Sequence, residues 1–239
     1  MIVSVKPGDY EYFWKYYKLP PSRFAYVPNG FLPNREESDL GKLNIPIDES
    51  EKKVIRVGYI GSLSTYYRLN DFIISMAHFV KKGNIEFIIV GDGEKKRELI
   101  ALSKNVGASN VKFIDPIPKS SVRKYIKSFD ICFLGLKDIS ANWYGISCNK
   151  LFEYMEAAKP IIGSYRTKYD PITEAQCGIS VNPDSPEDIV DAIKYLINNP
   201  DIAKKMGENG RNYFFRNHDF SVVSQIYLDH FKKLCGGKK

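Results

Sequence analysis

Cysteine and histidine are scarce and scattered in this chain. The four cysteines (Cys132, Cys148, Cys177, Cys235) contain no C-x-x-C pair, and the three histidines (His78, His218, His230) are dispersed among them. No zinc site is readable from that spacing, and reduced thiols in a cytosolic protein are the plain expectation. No apolar run of about 18 residues occurs, so no membrane-spanning helix is predicted. The opening MIVSVKPGDYEYFWKYY lacks a cleavable apolar stretch, which argues against secretion. Internal repeats and low-complexity tracts are absent as well. The basic excess has no interleaved aromatics on a recognisable recognition element, so nucleic acid is the least favoured partner.

What is present is ordinary globular composition. The 239 residues are 44% hydrophobic and 26% charged, enough for one large domain, or one domain plus a fragment, with a real core. The net charge of +7 is unevenly spread. Residues 1–50 carry 6 basic and 7 acidic side chains, residues 51–130 carry 15 and 8, and residues 131–239 carry 14 and 13. The excess in the middle stretch suits a phosphorylated ligand, an anionic membrane face or simple solubility.

From residue 54 short β-branched runs alternate with longer amphipathic stretches. VIRVGYI (54–60), IEFIIV (85–90), VKFI (111–114), DICFLGL (130–136), PIIG (160–163) and GISV (178–181) read as buried strands. Helices are predicted between them over 68–81, 94–105, 119–128, 148–158 and, weakly, 169–176. Ser185-Pro186-Glu187-Asp188 is a strong helix start, and three helices (186–198, 201–215, 219–234) close the chain. Strand–helix alternation with continuous apolar strands predicts an α/β fold, a Rossmann-like doubly wound parallel sheet covered on both faces. Ligands of such sheets bind beyond the carboxyl ends of the strands. The site is therefore expected in the loops after residues 60, 90, 114 and 136 and in the loop before the 148 helix. The first 50 residues differ: IVSV reads as a strand, 9–18 as a short aromatic helix, Asn29-Gly30 as a turn, and 33–52 as a polar linker.

Four loops are candidates for chemistry. Gly61-Ser62 follows the first strong strand, where glycine permits close approach of a ligand or merely ends the strand. Gly91-Asp92-Gly93 sits between strand and helix, but Lys96 holds the third glycine position of a dinucleotide fingerprint, which disfavours nicotinamide and flavin. The turn is alternatively a tight strand-to-helix connection. Tyr144-Gly145-Ile146-Ser147-Cys148-Asn149-Lys150-Leu151-Phe152-Glu153 leads into a helix whose N-terminus suits a pyrophosphate, with Ser147 as N-cap and Lys150 adding charge. Glu153 offers a carboxylate that accepts from two neighbouring hydroxyls, as on a ribose, or it is an ordinary solvated glutamate opposite the apolar arc. Asp115-Pro116-Ile117-Pro118 is a rigid loop able to flank a base or simply to connect. The helix after it aligns Lys119, Arg123 and Lys127 on one stripe, a solvated face or a contact for anionic headgroups.

In order and in register, GYIGSLSTYYRLNDFI, FIIVGDGEKKREL, VKFIDPIPKSSVRKYIKSFDICFLGL and YGISCNKLFEYMEAAKPIIGS resemble the C-terminal domain of GT-B-fold glycosyltransferases of family 4, of the type that builds bacterial surface polysaccharides. RFAYVPNGF resembles the segment crossing from the N-terminal domain of such enzymes. The resemblance implies retaining, metal-independent sugar transfer, with no cofactor beyond the nucleotide-sugar substrate. A UDP-sugar is favoured over a GDP-sugar, and the acceptor is a polysaccharide or lipid-linked. It implies a donor-phosphate site from Gly61, Ser62, Arg68, Ser147, Cys148, Asn149 and Lys150. It puts the nucleoside near Gly91, Asp92, Gly93, Ile117, Leu151 and Glu153, and the sugar near Tyr144, Gly145 and Ile146.

The departures are Ser62 in place of arginine, Arg68 in place of lysine, Cys148 in place of proline, Asp115 in place of glycine, and Gly145 where many members carry a glutamate. In the same frame, 1–32 is the remnant of an acceptor domain and crossover, 33–52 a linker, 53–218 the donor-binding domain and 219–239 a C-terminal helix and tail. The acceptor-binding domain is otherwise missing, so the chain is expected to be a fragment or one subunit, inactive alone, in the cytoplasm, either free or at the inner membrane face. A non-catalytic module with a degenerate site and a sugar-nucleotide epimerase are the alternatives; the latter lacks a visible acid–base pair.

Overall fold

The computed structural model describes residues 1–33, 54–82 and 84–236. Apart from Pro33, the stretch read as a linker lies outside the described residues. The six expected strands are present as β3 (Ile55–Ile60), β4 (Ile85–Val90), β5 (Val111–Ile114), β6 (Ile131–Gly135), β7 (Ile161–Ser164) and β8 (Gly178–Val181). They form one all-parallel sheet in the order β5-β4-β3-β6-β7-β8. The chain winds outward from β3 to one edge, returns, and winds from β6 to the other. The switch point lies between β3 and β6, where a crevice opens beyond the strand ends.

Two apolar layers cover this sheet because alternate residues of each strand face opposite ways. Val57 and Tyr59 of β3 join the core under α2 (Leu69–Met76), α3 (Lys96–Asn105) and α8 (Pro186–Asn198). Ile60 joins the core under α4 (Lys119–Lys127), α6 (Asn149–Glu156), α7 (Pro171–Ala175) and α9 (Pro200–Asn217). In the first layer Phe72 lies flat on Phe133, with centroids 4.1 Å apart, and edge-on to Phe87 at 5.1 Å.

Several boundaries differ from expectation. The helix predicted over 68–81 is α-helical only to Met76 and continues as a 3₁₀ turn over Ala77–Lys82. A short helix α5 (Ser140–Trp143), unread in the sequence, stands in the loop after β6. IVSV does form a strand, β1 (Ile2–Ser4), but its partner is β2 (Phe24–Tyr26), which the sequence reading missed. Between them α1 (Asp9–Tyr17) leaves Trp14, Tyr16 and Tyr17 exposed.

The Asn29-Gly30 segment docks against the end of α9. Its Asn29 carbonyl meets His218 Nδ1 at 2.7 Å, and Phe31 packs on Phe214 at 4.7 Å. The last helix, α10 (Phe220–Gly236), buries only Val223 and exposes Leu228, Phe231 and Leu234. No helix among the described residues is long and apolar enough to cross a membrane.

Phe72→Ala is expected to cost about 3–5 kcal/mol, because the ring lies wholly buried between two others. Chemical denaturation of the variant measures this, and a loss under about 1 kcal/mol would refute the packing.

Candidate functional site

The site is built around the first turn of α6, which follows β6 and points its N-terminus at the switch point. Cys148 is the N-cap, in extended backbone, and no side chain caps the helix. Ser147, expected in that role, lies one residue too early. Its hydroxyl is buried and has no hydrogen-bond partner. A buried hydroxyl without a partner, beside free helix amides, is a place where an anion or a ligand hydroxyl fits. Asn149 is exposed at the same turn.

Lys150 is the principal electrostatic feature. Its side chain turns back under β3, leaving the residue only 8% exposed. Nζ donates to the Tyr59 hydroxyl at 2.5 Å and lies 3.4 Å from the Tyr67 ring centroid and 4.1 Å from that of Tyr59. Tyr59 in turn donates to the Ser62 carbonyl at 2.6 Å, so the loop after β3 is tied to the lysine. No carboxylate forms an ion pair with this ammonium among the described residues. Ring faces attract a cation but do not neutralise it. Burial therefore pushes the Lys150 pKa down to about 7, against the opposing pull of Cys148 and Glu153.

Glu153 stands one turn further along α6. Burial raises its pKa, while Lys119 and Lys150 pull it down. It is half-buried, not on the solvated face that periodicity allowed. That face is narrow, because α6 is covered everywhere but at Asn149 and part of Glu153. Glu156, at 1% exposure, accepts from Arg123 of α4 through Nε at 2.8 Å and Nη2 at 2.5 Å. The Lys119–Arg123–Lys127 stripe is thus no free basic face, since its central guanidinium is drawn into the α4–α6 interface.

The glycine turns lie together above the sheet. Gly91 has φ +143°, and a Cβ there would come 1.9 Å from the Gly61 carbonyl oxygen. The loops after β3 and β4 are laced by main chain, with Gly61 N–H to the Val90 carbonyl at 2.9 Å and Leu63 N–H to the Asp92 carbonyl at 2.8 Å. Gly61 itself faces the Lys150 ammonium. Ser62, Asp92 and Gly93 are exposed on this rim, and Ile117 is half-buried beside α4.

Three expected residues sit differently. Leu151 is wholly buried in the core and offers no surface to a ligand, and Ile146 is buried with it. Arg68 is engaged elsewhere: Nη2 lies 2.7 Å from Asp71 and Nη1 2.9 Å from Asp184. The network continues through Arg166, which pairs with both Asp184 and Asp138 at 2.7 Å. Arg68 instead lines a cleft of about 440 Å³ between the 64–68 loop and α3, with Lys95 and Lys137 on its walls and Tyr67 between it and Lys150. Tyr144 is half-buried, and Gly145 is closed over by the segment after β1. The sequence reading quoted Tyr59 only as the start of the first loop and assigned no role to it or to Tyr67. A tyrosine one residue before the end of an otherwise aliphatic strand was the available signal for the first. Among the described residues no three His, Cys, Asp or Glu side chains gather to hold a metal ion.

The fold and the switch-point crevice define a Rossmann-like domain of the GT-B kind. A chain of Anabaena HepE in complex with UDP superposes with TM-score 0.78 at 16% identity, covering 97% of this chain and 64% of that one. WaaG, a glycosyltransferase of lipopolysaccharide biosynthesis, superposes with TM-score 0.72 at 20% identity over 93% of this chain and 60% of that one. The sequence pattern of glycosyl transferases group 1 matches residues 43–213, and the chain belongs to that family. It is 26% identical over 191 residues to an uncharacterized glycosyltransferase of Methanocaldococcus jannaschii, covering 79% of this chain and 47% of that protein. It is 23% identical over 211 residues to the lipopolysaccharide glucosyltransferase WaaG of Escherichia coli, covering 84% of this chain and 54% of that protein. The chain spans about half the length of the curated relatives it matches.

The Lys150 environment has a signed consequence for stability. Between the folded pKa of about 7 and the ordinary 10.5, the unfolded chain holds a proton that the folded chain does not. Stability therefore rises with pH across that window. Wild type is expected to gain melting temperature relative to Lys150→Met from about pH 7 to pH 10. Parallel curves for the two proteins would contradict the burial of the charge.

Proposed function

We propose that the chain is the nucleotide-sugar-binding half of a retaining glycosyltransferase, and that it grips a UDP-sugar at the N-terminus of α6. The observation that carries this reading is the Lys150 ammonium, buried without a carboxylate beside an uncapped helix start and an orphaned Ser147 hydroxyl. A diphosphate supplies what this arrangement lacks, namely negative charge and acceptor oxygens. Lys150 and the first-turn amides at Cys148 and Asn149 bind the phosphates. Glu153, one turn deeper, accepts from the two ribose hydroxyls. The rim of Asp92, Gly93 and Ile117 borders the base, and Tyr144 and Gly145 border the sugar. Arg68 acts at a distance by fixing the loop after β3.

Related structures support the choice of nucleotide, since Anabaena HepE forms complexes with UDP and with UDP-glucose. Transfer relies on the donor phosphate and on positioning, and no side chain of this chain is assigned as general base. The acceptor, polysaccharide or lipid-linked, is held by a second half. The apolar residues exposed on α1 and α10 support such a partner, because a monomer rarely leaves Trp14, Tyr17, Phe231 and Leu234 all in water. Gly145 in place of an acidic residue favours a second reading, a binding module without catalysis.

Calorimetry with UDP, GDP and NAD tests the reading. UDP is expected to bind with modest affinity, and Glu153→Ala to weaken it by roughly tenfold, the loss of about one charge-assisted contact. Affinity should fall as pH rises above about 7, because Lys150 must take up a proton to meet the phosphate. No transferase activity is expected from the chain alone. Absence of nucleotide binding, or a Glu153→Ala variant that binds UDP as wild type does, would remove the site assignment.

A further inference from the structure

The segment after β1 packs on the loop that leads into α6. The Gly8 N–H donates to the Tyr144 carbonyl at 2.9 Å, and Lys6 Nζ donates to the Ala141 carbonyl at 2.7 Å. The Tyr12 ring meets Tyr144 edge-on at 5.4 Å, and Glu11 accepts from the Tyr169 hydroxyl and pairs with Lys168 at 2.6 Å. The segment is thereby pinned on the two loops after β6 and β7. Gly145 has φ +128°, and a Cβ there would meet Pro7 Cδ at 2.8 Å and Lys6 Cβ at 3.5 Å. Residue 145 has no side chain because this segment takes its place.

We propose that Lys6 is a second cation of the diphosphate site, so that the segment preceding α1 completes the grip that Lys150 begins. The inference rests on the reading of α6 as a diphosphate site. Lys6 donates to a backbone carbonyl, and no carboxylate pairs with it among the described residues, so its charge is available to a ligand. Lys6 lies against Gly145, three residues before the α6 N-cap, and Lys150 stands two residues after it. Burial raises the Cys148 thiol pKa, and Lys150 and Lys6 both oppose it. The orphaned Ser147 hydroxyl lies at that same turn. A single buried ammonium balances one phosphate of a nucleoside diphosphate. The second phosphate carries its own charge, and Lys6, held at the Ala141 carbonyl, is the cation on the loop that leads into α6.

The test is calorimetry of the full chain with UDP and UMP, comparing Lys6→Met, Lys6→Arg, Lys150→Met and Lys18→Met. Lys18 lies in the same N-terminal region, its ammonium 3.4 Å from the Lys15 carbonyl, and serves as control. For Lys6→Met the affinity for UDP should fall about tenfold and that for UMP by less than about twofold, as expected for one charge-assisted contact to the second phosphate. Lys6→Arg should restore most of the loss, and Lys18→Met should change neither ligand. An unaltered UMP affinity also reports that Lys6→Met is folded. Equal losses for UDP and UMP in Lys6→Met overturn the proposal, since they mean a damaged loop. If Lys6→Met binds UDP as wild type does while Lys150→Met does not, the proposal fails and the α6 site stands. If no variant alters UDP binding, the α6 site itself is wrong.

Discussion

Helix α6 sits in the interior with charged residues on it, and much of the remaining architecture answers that constraint. Only eight residues long, it buries Leu151, Phe152, Tyr154 and Met155 against the sheet and α9, yet it also carries Lys150 and Glu156 out of water. An ionised group in such a place needs a partner or a shifted pKa. Glu156 has its partner in the forked guanidinium of Arg123, which fixes α4 on α6. Among the described residues Lys150 has only a hydroxyl and ring faces and so keeps unspent attraction for an anion. The two ends of one helix are thus treated oppositely: the carboxyl end is neutralised by the fold, and the amino end is left open at the crevice.

The covering of α6 explains the N-terminal segment as well. His218 stacks on Phe152 at 3.7 Å and meets the Asn29 carbonyl, while the Asn29 side chain donates to the Ser147 carbonyl at 3.4 Å. The crossing chain therefore touches both the flank of α6 and the loop before it. The segment after β1 closes over Gly145 from the other side. Residues remote in sequence from the α/β core thus pack against the loop before α6 from two sides. Opposite, the Arg68–Asp184–Arg166–Asp138 network pins four loops with exposed or half-exposed ions. Such pairs contribute little to stability in water, and their effect is on loop geometry.

Much of this was legible along the chain. Short β-branched runs such as IEFIIV and DICFLGL, alternating with amphipathic stretches, fit buried strands of a parallel sheet, so strand number, the covering helices and the loop cluster at the carboxyl ends follow from composition and chain order. Ser185 does cap α8, accepting from the Asp188 N–H, as its sequence context required. These features are local, or follow from rules that link neighbours in sequence.

The sequence by itself determined the layered α/β fold, the position of its crevice and the candidate turn from Ser147 to Glu153. Tertiary structure alone decided which charges there are free. Lys150 and Arg68 look alike in sequence, yet one lies uncompensated under two tyrosines and the other is held by two carboxylates. Glu153 and Glu156 fall on faces that a lone helix would turn to solvent, and Leu151 on one that a ligand was expected to reach. Periodicity reports how residues are arranged around their own helix. Whether a face meets water, a counter-charge or another segment depends on what the fold lays over it, and that contact is between residues far apart in the chain.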